Sequence, residues 1–119
     1  MTVIYHLTTA TDWEHGRAAG EYTTSTRGKT LAEQGFIHAS TAGQVAPVAN
    51  SFYRGAPGLL VLVIDTERLT SPLKWDDVPG WDEPFPHIYG PLNPDAVVGT
   101  VPLDPGPDGE IAFEPPASA

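Results

Sequence analysis

The chain has no cysteine and only six lysines and arginines in 119 residues. Lack of cysteine rules out disulfides, zinc–thiolate sites, iron–sulfur clusters and a thiol nucleophile. Fifteen acidic residues against six basic ones leave a net charge of −9. So few scattered cations on an acidic chain argue against electrostatic capture of nucleic acid or of an anionic membrane. Long apolar runs are also missing. The longest, Leu59 to Ile64, falls far short of the ~20 residues that span a bilayer. Met1 to Thr8 has neither the basic start nor the apolar stretch of a signal peptide, so the expected location is cytoplasmic.

A hydrophobic content of 40% is that of a globular chain. Thirteen prolines and twelve glycines exclude an all-helical bundle and favour short elements joined by many turns. The length is that of one domain, expected over residues 1–103. Residues 104–119 carry four prolines and two glycines and are expected to form a loose tail or a strap.

Val3 to Thr8 is β-branched and aromatic with near alternation, a first strand. Thr11-Asp12-Trp13-Glu14 has the Thr-x-x-Glu pattern of a capping box, so a helix is expected from there to Gly20, with Trp13 facing the sheet. Tyr22 to Thr26 reads as a turn, Lys29 to Gln34 as a short helix ending at Gly35, and Phe36 to Ala39 as a short strand. Ser40 or Thr41 caps a further helix, with Gln44 as box partner. Its apolar stripe is Val45, Val48, Ala49, Phe52 and Tyr53, and Pro47 moves the start towards Val45. Gly55-Ala56-Pro57-Gly58 breaks it. Leu59 to Asp65 is apolar on both faces and is therefore central. A loop-rich stretch holds Trp75 and Trp81, His87 to Leu92 re-enters the fold, and Ala96 to Leu103 is a last strand placed on an edge by Pro102. The sum is an α+β domain of five or six strands and three short helices. No sustained β-α-β period supports a doubly wound sheet.

Three of the four histidines lie on or near strands beside hydroxyl or aromatic groups: His6, His38 and His87. If Tyr5 and Leu7 face the core, His6 shares the opposite face with Ile4 and Thr8. These spacings are compatible with three buried or solvated side chains, and equally with one shared cleft. No HxH, HExxH or helical His-x-x-Glu pattern supports a metal site. No G-x-S-x-G elbow supports a serine nucleophile, and no glycine-rich phosphate loop is present. The free N–H groups after Thr41 would favour an anion such as a pyrophosphate. Trp75-Asp76-Asp77 and Trp81-Asp82-Glu83 read as a solvated acidic loop, with acid–base work as the alternative. Phe85-Pro86-His87-Ile88-Tyr89-Gly90-Pro91-Leu92 holds a histidine and a tyrosine on a backbone stiffened by two prolines, either a binding site or an aromatic corner.

Taken in order, Ile4-Tyr5-His6-Leu7-Thr8, Gly35-Phe36-Ile37-His38-Ala39-Ser40-Thr41 with Gln44, Asn50-Ser51-Phe52-Tyr53, the strand ending at Asp65, and Phe85 to Leu92 resemble the DUF952 family of small bacterial proteins of unassigned function. The resemblance implies an ADP-ribosyltransferase-like fold, a small split sheet with short helices around a nicotinamide-nucleotide cleft. On that likeness His6 is similar to the histidine that contacts the nicotinamide ribose. Gly35 to Ala39 resembles the second core strand, with Ile37 and His38 where a Tyr-Phe pair is usual. The third motif is usually a glutamate; Glu83 is near, or His87 stands in its place. The triad His6, His38 and His87 is then closer to the all-histidine pattern of RNA 2′-phosphotransferases. Histidine stabilises an oxocarbenium-like state less well than a carboxylate does, which weighs against transfer to protein.

The expected site is therefore a cleft with His6, His38, His87 and Glu83 as catalytic candidates and Thr8, Ser40, Thr41 and Tyr89 as ligand contacts. It would bind a small nucleotide such as NAD or an ADP-ribose-like molecule, with no metal and no other cofactor. The alternatives are a non-catalytic small-ligand or protein-binding module on the same fold, and a plain hydrolase using a histidine-bound water.

Overall fold

The computed structural model describes residues 2–26, 28–56 and 58–115. Strand β1 (Val3–Thr9) runs antiparallel to β5 (Leu59–Asp65), which also pairs with β8 (Val97–Pro102), so β5 is the central strand. A second antiparallel sheet has the order β4 (Ile37–His38), β7 (Phe85–Ile88), β6 (Leu73–Asp76). Between them lie a two-stranded ribbon, β2 (Thr24–Thr26) with β3 (Lys29–Thr30), and three helices, α1 (Ala10–Ala19), α2 (Leu31–Gln34) and α3 (Val45–Phe52). The class is α+β with a small split sheet and short helices. No helix among the described residues is long and apolar enough to cross a membrane.

The alternation of β1 and β5 divides the interior in two. Tyr5, Leu7, Val61 and Val63 pack against Val45, Val48 and Ala49 of α3. Ile4, Leu62 and Ile64 point the other way, onto Trp13 of α1, Tyr22, and Ile37 and Ile88 of the second sheet. Both faces of the first sheet are covered, as the unbroken apolar run of β5 requires. The two sheets meet where Tyr5 and Ser40 exchange backbone hydrogen bonds at 2.9 and 2.7 Å.

Several elements begin elsewhere than the sequence suggests. Helix α1 starts at Ala10 because the Thr9 hydroxyl, not that of Thr11, takes the Asp12 N–H at 3.2 Å. It ends at Gly20, whose φ of 81° is the left-handed C-terminal cap. Tyr22 to Thr26 is not merely a turn: Tyr22 bridges to Leu92, and Thr24–Thr26 is a strand. Lys29 and Thr30 are strand, and Thr30 caps α2 in a full box with Glu33. A 3₁₀ turn, Ala42–Gln44, precedes α3. It puts Pro47 in the helix's first turn, where a missing N–H costs little. Strand β6 lies in the stretch read as loop. It is a short edge strand with exposed Lys74 and Trp75, so it lacks the apolar signature of a buried one. The chain after Asp104 runs as a strap. Ile111 is buried, exchanges two hydrogen bonds with the Asn50 side chain at 2.7 and 2.9 Å, and Phe113 meets Tyr5 edge-on. Pro57 and residues 116–119 of the expected turn and tail lie outside the described residues.

Gly16 on α1 lies directly against Tyr22. A Cβ there would sit 2.7 Å from the tyrosine Cδ2 and 3.0 Å from its Cα. Gly16→Ala is expected to destabilise the fold by about 1–3 kcal/mol, despite alanine's better helix propensity, because Tyr22 is fully buried and cannot yield. Urea unfolding of the variant against the parent measures it.

Candidate functional site

The three histidines come close together, but they do not share one environment. His6, on the even face of β1, is only 1% exposed. Its Nδ1 is 2.5 Å from the His38 carbonyl oxygen and its Nε2 is 2.7 Å from the Tyr22 hydroxyl, which in turn lies 2.7 Å from Thr8 Oγ1. A carbonyl can only accept, so Nδ1 carries the proton and Nε2 offers a lone pair to Tyr22. Burial holds the His6 pKa down to about 4, the carbonyl bond opposing that shift only in part. The same burial pushes the Tyr22 pKa up. His6 and Thr8 therefore do not line a cleft, contrary to the expectation from sequence. The face they occupy is the second core, closed by Tyr22 and Trp13.

His38 and His87 form a different group. They sit opposite each other in the β4–β7 pair. The His38 N–H bonds to Ser25 Oγ at 3.3 Å and its C=O takes the His6 proton. Its backbone groups thus turn away from β7, which is the pairing in which opposed side chains approach most closely. His38 Nδ1 lies 3.1 Å from His87 Nε2, and His87 Nδ1 lies 2.9 Å from Asp76 Oδ2 on β6. Tyr89 donates its hydroxyl proton to the same carboxylate oxygen. Asp76 and His87 are diagonal neighbours on one face of the β6–β7 pair, since Asp76 is paired with Phe85. Phe36 stacks on the His87 ring at 4.0 Å and 12°.

The carboxylate fixes every proton in this chain of bonds. Bonds from Tyr89 and then His87 hold the Asp76 carboxyl below the usual carboxylate range, so it is ionised and accepts. The Asp76 bond raises Tyr89. His87 then has its proton on Nδ1 and a lone pair on Nε2, and His38 donates to that lone pair from Nδ1. Burial lowers the His87 pKa against the opposing pull of Asp76. Burial first, then the neighbouring His87 and His6, lowers His38 to about 3. Both rings are neutral at pH 7. The last atom in the line, His38 Nε2, is a lone pair with no hydrogen-bond partner among the described residues and almost no exposure.

Beside this pair is a cavity of about 340 Å³ lined by Phe36, Val48, Phe52, Val78, Trp81 and Phe85, with His38, His87, Gln34, Thr26 and Lys29 as its polar members. Among the described residues no carboxylate lines it, in a chain of net charge −9. Of the other expected contacts, Ser40 is buried in the bridge to Tyr5. The Thr41 N–H is taken by Gln44 Oε1 at 2.9 Å, so that terminus is occupied from within. Glu83 is exposed and outside the lining, and Tyr89, also outside it, touches the site through Asp76 and the Phe36 ring. Among the described residues no three metal-ligating side chains are grouped to hold a metal ion. Sequence reasoning missed Asp76 as the partner of His87, and it missed the aromatic wall. The alternation of Phe36 with His38, and of Phe85 with His87 and Tyr89, carried the signal for that wall.

Three outcomes are expected of these side chains. In long-range ¹H–¹⁵N spectra at pH 7, His6, His38 and His87 show Nδ1 protonated and Nε2 bare; a His38 protonated at Nε2 would contradict this order of donors and acceptors. Stability falls as pH drops from 7, because the unfolded chain takes up protons below about pH 6.5 that folded His6 refuses until about pH 4. His6 alone removes roughly 3 kcal/mol over that window, read by urea unfolding at both ends. His6→Ala, which strands the His38 carbonyl and leaves a void beside Tyr22, costs about 2–5 kcal/mol by the same measurement.

No curated protein matches the chain. The crystal structure of protein CC0527 from Caulobacter crescentus is 32% identical to it, covers 93% of this chain and 94% of its own, and superposes with a TM-score of 0.81. The solution NMR structure of CC0527 is 33% identical over 92% of this chain and 91% of its own, with a TM-score of 0.75. The family model described as a protein of unknown function, DUF952, matches residues 7–100. Matched over most of its length, this chain belongs to the DUF952 family.

Proposed function

We propose that the protein is a non-catalytic binding module for a small, flat, mostly apolar molecule, taken up in the cavity between α3, the β2–β3 ribbon and the face of the second sheet that carries His38 and His87. The observation that carries this reading is the composition of the wall. Four aromatic rings and two valines surround a space at the small end of the range for ligand sites, with a few polar groups at one side to orient a guest. Aromatic faces favour a planar ligand that stacks.

The rival reading, an ADP-ribosyltransferase-like fold binding NAD, asks for His6 at the ribose. Both ring nitrogens of His6 are already engaged inside the core, and the cavity is small for a dinucleotide. A hydrolase would need a water placed by a histidine. His38 Nε2 is unpartnered, but almost none of its surface is exposed to take one.

A thermal-shift screen separates these readings. Small aromatic compounds at a hundredfold excess over Kd are expected to raise Tm by about 10 °C and to quench Trp81 emission. Val78→Trp, which fills the cavity, is expected to abolish both effects. A rise in Tm with NAD accompanied by nicotinamide release, or a screen in which only nucleotides stabilise, overturns the proposal.

A further inference from the structure

We propose that the guest of this cavity is a flat aromatic monocarboxylate, seated with its ring among the aromatic walls and its carboxylate at the mouth on Lys29. This deepens the binding reading above and rests on it.

The hydrogen-bonding groups left open to a guest come from one short stretch of chain. Thr26 and Lys29 are directly paired across the β2–β3 ribbon, so their side chains share a face. Gln34 ends α2, and the left-handed Gly35 then turns the chain to Phe36 of the aromatic wall. All three line the cavity. The two histidines of the lining have no proton or lone pair to spare. His87 Nδ1 donates to Asp76 at 2.9 Å, and its Nε2 accepts from His38 Nδ1 at 3.1 Å. His38 Nε2 has almost no accessible surface. These imidazoles give a guest ring faces and edges only. Recognition by polar bonds therefore falls to the ribbon and α2, and an apolar body with one polar end fits the whole.

Lys29 sets the sign of that end. Its ammonium has three donors and no acceptor. It is exposed, and among the described residues no carboxylate is in ion-pair contact with it. Glu33, the acidic residue of α2, is held at the helix cap, where its Oε1 accepts from the Thr30 N–H at 3.0 Å and the Thr30 hydroxyl at 3.1 Å. With no carboxylate among the described lining residues, an anion at the mouth meets no fixed negative charge at contact. The net charge of −9 acts from farther away, where salt screens it over a Debye length of about 8–10 Å. One ammonium with two neutral groups matches one negative charge. A phosphate monoester, with close to two charges, asks for more cations than the described lining holds.

Isothermal titration calorimetry at neutral pH compares 2-naphthoate with 2-naphthamide, its uncharged analogue of nearly the same shape. The expected naphthoate Kd is at least about fivefold below that of naphthamide, the worth of one charge-assisted hydrogen bond at a half-open mouth. In Lys29→Met that ratio falls below about twofold, and in Lys29→Arg it returns. If the variants do not fold by circular dichroism, ¹H–¹³C spectra of the wild-type lysine ε-methylenes decide, with Lys29 shifted by naphthoate and not by naphthamide. A smaller ratio in the wild type, or one that survives Lys29→Met, overturns the carboxylate assignment and leaves the binding reading intact. Tighter binding of 2-naphthyl phosphate than of naphthoate overturns it too, since the mouth then meets two charges. Naphthoate that still binds after Val78→Trp fills the cavity is held elsewhere and overturns it as well. Failure of naphthoate, naphthamide and the smaller benzoate and benzamide alike overturns the assignment and the binding reading together.

Discussion

The bond from the His6 imidazole to the carbonyl of His38 is the constraint on which the site depends. Among the described residues, the backbones of the first and second sheets are joined by one pair of bonds, between Tyr5 and Ser40. Two residues before Ser40, the strands have already parted, and a side chain does what a backbone N–H would do in a continuous sheet. Because the acceptor is a carbonyl, the tautomer of His6 is fixed, and with it the demand for a donor at Nε2, which Tyr22 meets. Tyr22 in turn leans on Gly16, so the spacing of helix α1 reaches the backbone of His38 through two aromatic rings.

Beyond that junction, polar groups and apolar groups are sorted by strand alternation. In β4 and β7, Ile37 and Ile88 enter the second core, while His38 and His87 turn to the cavity. On the cavity face, among the described residues, the only fixed negative charge in contact with the histidines is Asp76, at the rim and partly exposed. A carboxylate there keeps its hydration and still orients both rings, which a fully buried one could do only at a large desolvation cost.

Much of the scaffold was legible in the sequence. The apolar run of β5 placed it centrally, Gly20 and Gly35 ended helices where expected, and Pro102 marked an edge. The segments around His38 and His87 were visible because each histidine lies on or near a strand beside hydroxyl or aromatic groups, the second on a backbone stiffened by prolines. His6 was misjudged in one respect. The sequence put it correctly on the face opposite Tyr5 and Leu7, but if β5 is covered on both sides, so is its partner β1, and Leu62 lies opposite His6. The inference applied to one strand had to extend to its neighbour. Asp76 was harder to read. It sits on a short edge strand with little hydrophobic pattern, and only the register of β6 against β7 brings it to His87.

The strap carries a consequence for truncation. The span matched by the family model, residues 7–100, leaves out Ile4, Tyr5 and His6 at one end and Leu103, Ile111 and Phe113 at the other. A fragment cut to that span would lose a wall from each core, the inter-sheet tie, and the clasp between Asn50 and Ile111. The cooperative unit of this molecule is thus wider than the span the family model matches, and residues beyond both of its ends close the two cores.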